Sequence, residues 1–87
     1  MDSKTKSLRK KPIRAFVLVT TKPGTSEDIV SSRKIKGVKL ANSVFGRYDA
    51  VIVIEAESLE ELKKIIYEVI EQHPNVIRTE TLISLQR

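Results

Sequence analysis

Apolar positions recur along this 87-residue chain in two patterns, whose order predicts the elements of the fold. The segments 13–21 and 50–56 contain uninterrupted apolar runs, at 15–19 and 50–54, which is typical of strands buried on both faces. Between residues 59 and 70 the apolar positions follow i, i+3, i+4 and i+7 spacing, which predicts an amphipathic helix. The positions of that stripe are Leu59, Leu62, Ile65, Ile66, Val69 and Ile70.

Turn and cap residues predict where the first half of the chain changes element. Lys22-Pro23-Gly24 ends the first strand, and Thr25 with Asp28 three residues later predicts a capped helix over about 26–35. Few apolar residues and two adjacent serines make this helix weakly amphipathic. Gly37 is expected to end it, and a second strand follows over 38–45.

The second half opens with a hairpin. Its tip lies at Gly46, and a third strand runs from about Tyr48 to Ala56. Ser58 and Glu61 form a capping box before the amphipathic helix, which stops at His73-Pro74-Asn75. The last strand covers about 76–85.

This order, βαββαβ, predicts an α+β fold of the ferredoxin-like type. It has a four-stranded antiparallel sheet with two helices on one face, and its first and third strands lie at the centre. Those two strands are apolar on both faces, so the uncovered side is expected to be an apolar interaction surface. Packing against a second copy is the simplest way to cover it.

Charge and composition narrow the functional classes. Residues 1–14 carry six Lys or Arg against one Asp, while residues 15–87 hold ten of each sign. The net charge of +5 therefore lies within residues 1–14, most of it in a flexible basic arm, residues 1–12, ahead of one domain, residues 13–87. The chain has no cysteine and a single histidine, His73, which is expected to favour the helix dipole. We expect a cytoplasmic, non-enzymatic protein with no cofactor, no metal and no membrane-spanning segment.

Several short motifs, taken in order, resemble the ligand-binding domain of Lrp/AsnC (feast/famine) regulators. They are Ala15-Phe16-Val17-Leu18-Val19, Lys22-Pro23-Gly24, Gly46-Arg47-Tyr48-Asp49 with Val51-Ile52-Val53, and Val76-Ile77-Arg78-Thr79-Glu80-Thr81-Leu82-Ile83. The resemblance covers about residues 13–87. Family members usually carry a helix-turn-helix domain ahead of this one, whereas here only the short arm precedes it, so a stand-alone domain of amino-acid metabolism regulation (RAM domain) is expected.

The resemblance implies a function and a site. It implies homodimers that assemble into higher oligomers and bind an amino-acid effector between neighbouring dimers. The implied role of Asp49 is to receive the ligand ammonium; Gly46, Arg47 and Tyr48 line the hairpin, and Thr79 and Thr81 line a wall. Transcription would be modulated through co-assembly with full-length regulators.

Each of these residues also has a simpler interpretation. Asp49 could satisfy turn amides, Gly46 could be needed for positive φ, and the threonines could be ordinary strand residues. Arg47 and Tyr48 could be solvated tip residues. An alternative function is that of an oligomeric nucleic-acid-associated protein whose basic arm binds phosphate, so that DNA is contacted weakly or indirectly.

Overall fold

A computed structural model describes residues 12–84, which form one sheet with two helices on one face. Its strands lie in the order β2-β3-β1-β4, and every neighbouring pair is antiparallel. The predicted ferredoxin-like α+β fold is confirmed, with β1 and β3 at the centre. The elements are β1 (Ile13–Thr21), a 3-10 helix (Ser26–Lys34), β2 (Val38–Ser43), β3 (Ala50–Ala56), α1 (Leu59–Gln72) and β4 (Val76–Ser84).

The core lies between the sheet and the two helices. In the register of the central strands, Ala15 pairs with Ile54, Val17 with Ile52 and Val19 with Ala50, and all six side chains are buried. Because side chains alternate between the two faces of a strand, the face of both central strands that carries these six residues lies under the helices. The helix layer contributes Ile29, Ile35, Leu62, Ile65 and Val69 to this core.

Helix α1 begins as predicted. The Ser58 hydroxyl accepts a hydrogen bond from the Glu61 amide at 3.1 Å, and the Glu61 carboxylate in turn accepts from the Glu57 amide at 2.6 Å. The predicted stripe is buried at its centre, whereas Leu59 and Ile70 on its flank are 55% and 38% exposed. Helix α1 packs over β3 and β1.

The first helix differs from the prediction in its type and in its cap. It is a 3-10 helix, and Thr25 makes no side-chain cap: its hydroxyl donates to the Lys22 carbonyl at 2.7 Å. The Ser31 hydroxyl likewise donates to the Asp28 carbonyl at 2.9 Å. Short polar side chains that bond to nearby backbone groups compete with α-helical bonding, and the tighter helix is the result.

The hairpin is wider than predicted, because β2 ends at Ser43 and β3 begins at Ala50. The Val44 amide donates to the Asp49 carbonyl at 2.9 Å and closes the loop. Gly46 lies within it at φ +127°, a conformation that favours glycine. The described range, 12–84, contains no helix that is both long enough and apolar enough to cross a bilayer.

The side of the sheet away from the helices is apolar at its centre, and we call it the open face. Phe16 pairs with Val53 on one side and with Leu82 on the other, and Leu18 pairs with Val51. An ion pair at 2.7 Å between Arg14 and Glu55 borders the apolar area. The open face comprises Phe16, Leu18, Leu40, Val51, Val53 and Leu82, all partly or largely exposed.

Candidate functional site

Asp49 joins the hairpin to the end of β1. Its carboxylate oxygen Oδ2 accepts a hydrogen bond from the Thr21 amide at 2.8 Å, and its own amide donates to the Val19 carbonyl at 2.8 Å. The side chain thus bonds to the neighbouring strand rather than to amides of its own turn. Within residues 12–84 no further hydrogen bond reaches this carboxylate, so one oxygen remains for another partner.

The rest of the hairpin tip is open. A Cβ built at Gly46 meets no atom within 4 Å, and Arg47 is exposed. The amides of Gly46, Arg47 and Tyr48 donate to no other group of the described chain. The tip therefore presents three amide donors beside one carboxylate, a combination that suits a ligand with both an anionic and a cationic group.

Tyr48 links the hairpin to β4. Its hydroxyl donates a hydrogen bond to the Glu80 carboxylate on the exposed surface. That bond is the main reason why the pKa of Tyr48 is raised above 10.0, with desolvation and the negative charge of Glu80 acting in the same direction. The positive charges of Arg47 and Arg78 oppose the rise.

The two threonines lie on the other side of β4. Thr79 pairs with Val19 and Thr81 with Val17, which places both on the helix side, opposite Glu80. Strand β1 separates Asp49 from Thr79 by two strand spacings, about 10 Å. The structure thus brings Tyr48 to β4 at Glu80, and does not enclose the six predicted residues in one pocket. Their joint role as a ligand site stays a prediction.

Phe45, next to the predicted hairpin residues, was not recognised in the sequence as a functional candidate. Its side chain is 106% exposed, more than that of any other large apolar residue described. Its place at the end of an apolar run suggested a strand residue. Because β2 ends two residues earlier, Phe45 instead projects from the hairpin.

A cavity of about 640 Å³ lies between the first turns of the 3-10 helix and the end of α1, and we call it the end cavity. Ile29, Val30 and Val76 contribute apolar surface, and Glu27 and Asp28 contribute carboxylates. His73 also borders it, and its Nε2 atom lies 2.8 Å from the hydroxyl of the buried Ser32.

His73 lies at the carboxyl end of α1, as expected from the sequence. The residue is only 6% exposed, and its bond to Ser32 was not foreseen. Among residues 12–84, no three His, Asp or Glu side chains converge as metal ligands would. The basic arm lies outside the described residues apart from Pro12, so phosphate binding by it stays a prediction.

Comparison with known proteins agrees with the fold and motifs. The family model for the Lrp/AsnC ligand-binding domain matches residues 14–87. No match was found among curated proteins.

Three solved structures illustrate the likeness. Hypothetical protein PHS023 from Pyrococcus horikoshii is 29% identical at a TM-score of 0.77, with 86% of this chain and 92% of that one covered. FFRP-DM1 is 30% identical at a TM-score of 0.75, with 84% and 99% covered. A feast or famine regulatory protein from M. tuberculosis, complexed with L-methionine, is 22% identical at a TM-score of 0.71. The alignment covers all of this chain but only 58% of that protein. At this low identity the likeness supports the fold alone. The family match over residues 14–87 places this chain among the Lrp/AsnC ligand-binding domains.

Proposed function

We propose that this chain is an amino-acid-binding, self-associating regulatory domain that modulates transcription by co-assembly with full-length Lrp/AsnC-type regulators. The observation that carries the proposal is the hairpin tip. One Asp49 carboxylate oxygen is held by the Thr21 amide, and the other is left beside three amides that have no partner in the described chain. We place the protein in the cytoplasm and assign it no catalytic step.

The chemistry of the tip matches a free amino acid. The ligand ammonium pairs with the Asp49 carboxylate, whose orientation is fixed by the bond to Thr21. The ligand carboxylate accepts from the amides of Gly46, Arg47 and Tyr48. Because both groups of the ligand form charge-assisted hydrogen bonds, ligands that lack either group are disfavoured.

Self-association completes the site. Thr79 and Thr81 are separated from Asp49 of the same chain by β1, so we assign them to the wall of a site formed where protomers meet. The open face supplies a first contact, because Phe16 and Leu82 at its centre are 36% and 49% exposed. Covering such a surface with its own copy removes apolar area from water at about 25 cal/mol per Å².

Calorimetric titration with each of the twenty amino acids tests the ligand proposal. We expect heat of binding for a small subset, and L-methionine is a rational first choice because a protein of this fold binds it. Asp49→Asn should weaken that binding about thirtyfold or more. Glu71→Gln, the same change at an exposed position of α1, should preserve it. A folded, assembled protein that binds none of the twenty contradicts the proposal.

Sedimentation tests the open face separately. Phe16→Glu introduces a charge at its centre and should shift the protein towards the monomer. Leu59→Glu places the same charge on the exposed flank of α1 and should leave the assembly unchanged. Equal sedimentation of the Phe16 variant and the unaltered protein would show that this face is not an interface.

A further inference from the structure

Phe45 is exposed in a manner that a lone protomer does not explain. The hairpin closes through the Val44 amide and the Asp49 carbonyl, and Phe45 follows that closure directly with 106% exposure. The neighbouring Tyr48, by contrast, bonds back to Glu80. An aromatic side chain held away from its own domain is a typical anchor for a partner.

The end cavity offers a complementary surface. Ile29, Val30 and Val76 give it an apolar lining, and its volume of about 640 Å³ is ample for a phenyl ring. Glu27 and Asp28 supply negative charge at its border. Neither acid forms an ion pair with any residue of the described range, and Arg47 of the hairpin also lacks one there.

The cavity can therefore hold the Phe45 ring, and its charge is opposite to that of Arg47. We propose that Phe45 of one copy of this chain inserts into the end cavity of a second copy. Arg47 beside it then pairs with Glu27 and Asp28 at the rim. The occupant is thus a second copy, and the attractive element is one aromatic ring with one adjacent guanidinium.

The positions of hairpin and cavity allow the contact to be reciprocal. Thr21 lines the end cavity, and the same residue donates its amide to Asp49 of the hairpin, so both features lie at one end of the domain. Two copies that meet at this end can place each hairpin in the other's cavity around a two-fold axis.

The contact differs from that at the open face. Two distinct two-fold interfaces on one chain generate assemblies larger than a dimer, and these assemblies close when the two axes intersect. The hairpin contact rests on one part of the proposed function, self-association. It does not require that an amino acid be bound. Failure of amino-acid binding and failure of the hairpin contact are therefore measured separately.

Sedimentation of Phe45→Ala tests the contact. Because the side chain is exposed within one protomer, the variant should keep the melting temperature of the fold at low concentration. Its assemblies should dissociate to dimers, with a dissociation constant raised about thirtyfold for each lost anchor residue and so about a thousandfold for the two anchors of a reciprocal interface. Leu59→Ala, which removes an apolar side chain that is 55% exposed elsewhere, should leave the assembly unchanged. An unaltered protein that stops at the dimer, or a Phe45 variant that assembles normally, overturns the inference.

Disulfide trapping identifies the receiving surface. The chain contains no cysteine, so a Phe45→Cys variant mixed with a Val30→Cys variant reports one contact unambiguously. Oxidation should give a mixed disulfide dimer in high yield, while Phe45→Cys mixed with Tyr67→Cys should give none. Preferential trapping at Tyr67, or equal trapping at both positions, rejects the end cavity as the receiver. Arg47→Ala should weaken the assembly most at low salt, because screening removes the rim pairing.

Discussion

Asp49 has two roles in the structure, and replacing it by Ala or by Asn separates them. Ala removes the acceptor of the 2.8 Å hydrogen bond that the Thr21 amide donates. Thr21 is only 5% exposed, so its amide would be left buried without a partner. Asn keeps a neutral acceptor at the same place. Both changes remove the negative charge that we assign to the ligand ammonium.

The expected magnitudes differ between the two variants. A buried amide left without its charged acceptor costs about 2 kcal/mol, whereas a neutral acceptor in place of a charged one costs about 1 kcal/mol. In a domain of this size each of these kcal/mol lowers the melting temperature by about 4–8 °C. Asp49→Ala should therefore melt about 8–16 °C lower, and Asp49→Asn about half as much.

Effector binding should respond differently from stability, because both substitutions remove the same charge. Loss of the charge partner weakens effector binding by about 2 kcal/mol or more, so both variants should lose affinity about thirtyfold or beyond. The assays are thermal unfolding by circular dichroism and titration calorimetry on the same preparations. If Asp49→Asn binds as tightly as the unaltered protein, Asp49 only fastens the hairpin to β1. If Asp49→Ala melts normally, the bond to Thr21 contributes nothing measurable.

Two further changes test the backbone and the hairpin link. Gly37→Ala should cost about 2–4 kcal/mol in unfolding free energy, because φ is +96° and the new Cβ would lie 2.5 Å from an isoleucine Cδ1 atom of α1. Gly24→Ala, at φ +81° with open space around it, should lose only the part of the unfolding free energy that comes from the positive φ. Equal losses of stability in the two variants would contradict the crowding argument. In a Tyr67→Phe background, the phenolate absorbance of Tyr48 should titrate above its ordinary pKa of 10.0, and Glu80→Gln should lower the midpoint. If the titration midpoint of Tyr48 does not move in the Glu80→Gln variant, Glu80 is not the cause of the raised pKa. Because the pKa is raised in the folded state, the stability gained from this bond is complete below the ordinary pKa and is lost as pH rises through the raised one.

The elements predicted most accurately are those whose pattern reports burial directly. Strand β1 and helix α1 match their predicted ranges, because a two-sided apolar run and a 3.6-residue stripe each leave few alternatives. The 3-10 helix could not be predicted in the same way. Its geometry follows from hydroxyl-to-carbonyl bonds of Thr25 and Ser31, which offer no periodic signal.

The same distinction between local pattern and distant contact applies to the candidate site. The places of Asp49 and Gly46 in the hairpin could be predicted because a hairpin of this kind needs a polar turn and a positive φ, whereas their role in ligand binding stays a prediction. The partners of Tyr48 and His73 could not, since Glu80 and Ser32 lie 32 and 41 residues away in sequence. Such contacts depend on strand order and helix placement, which the local pattern does not contain.

The bond between Ser32 and His73 has a consequence for synthesis on the ribosome. A 3-10 helix of nine residues has little intrinsic stability, and this one is anchored by a side chain that is translated 41 residues later. Until His73 has left the exit tunnel, Ser32 has no buried partner, and residues 26–34 gain little from adopting their final shape. The nascent chain should therefore complete its amino-terminal helix last, after the central strands and α1 have formed.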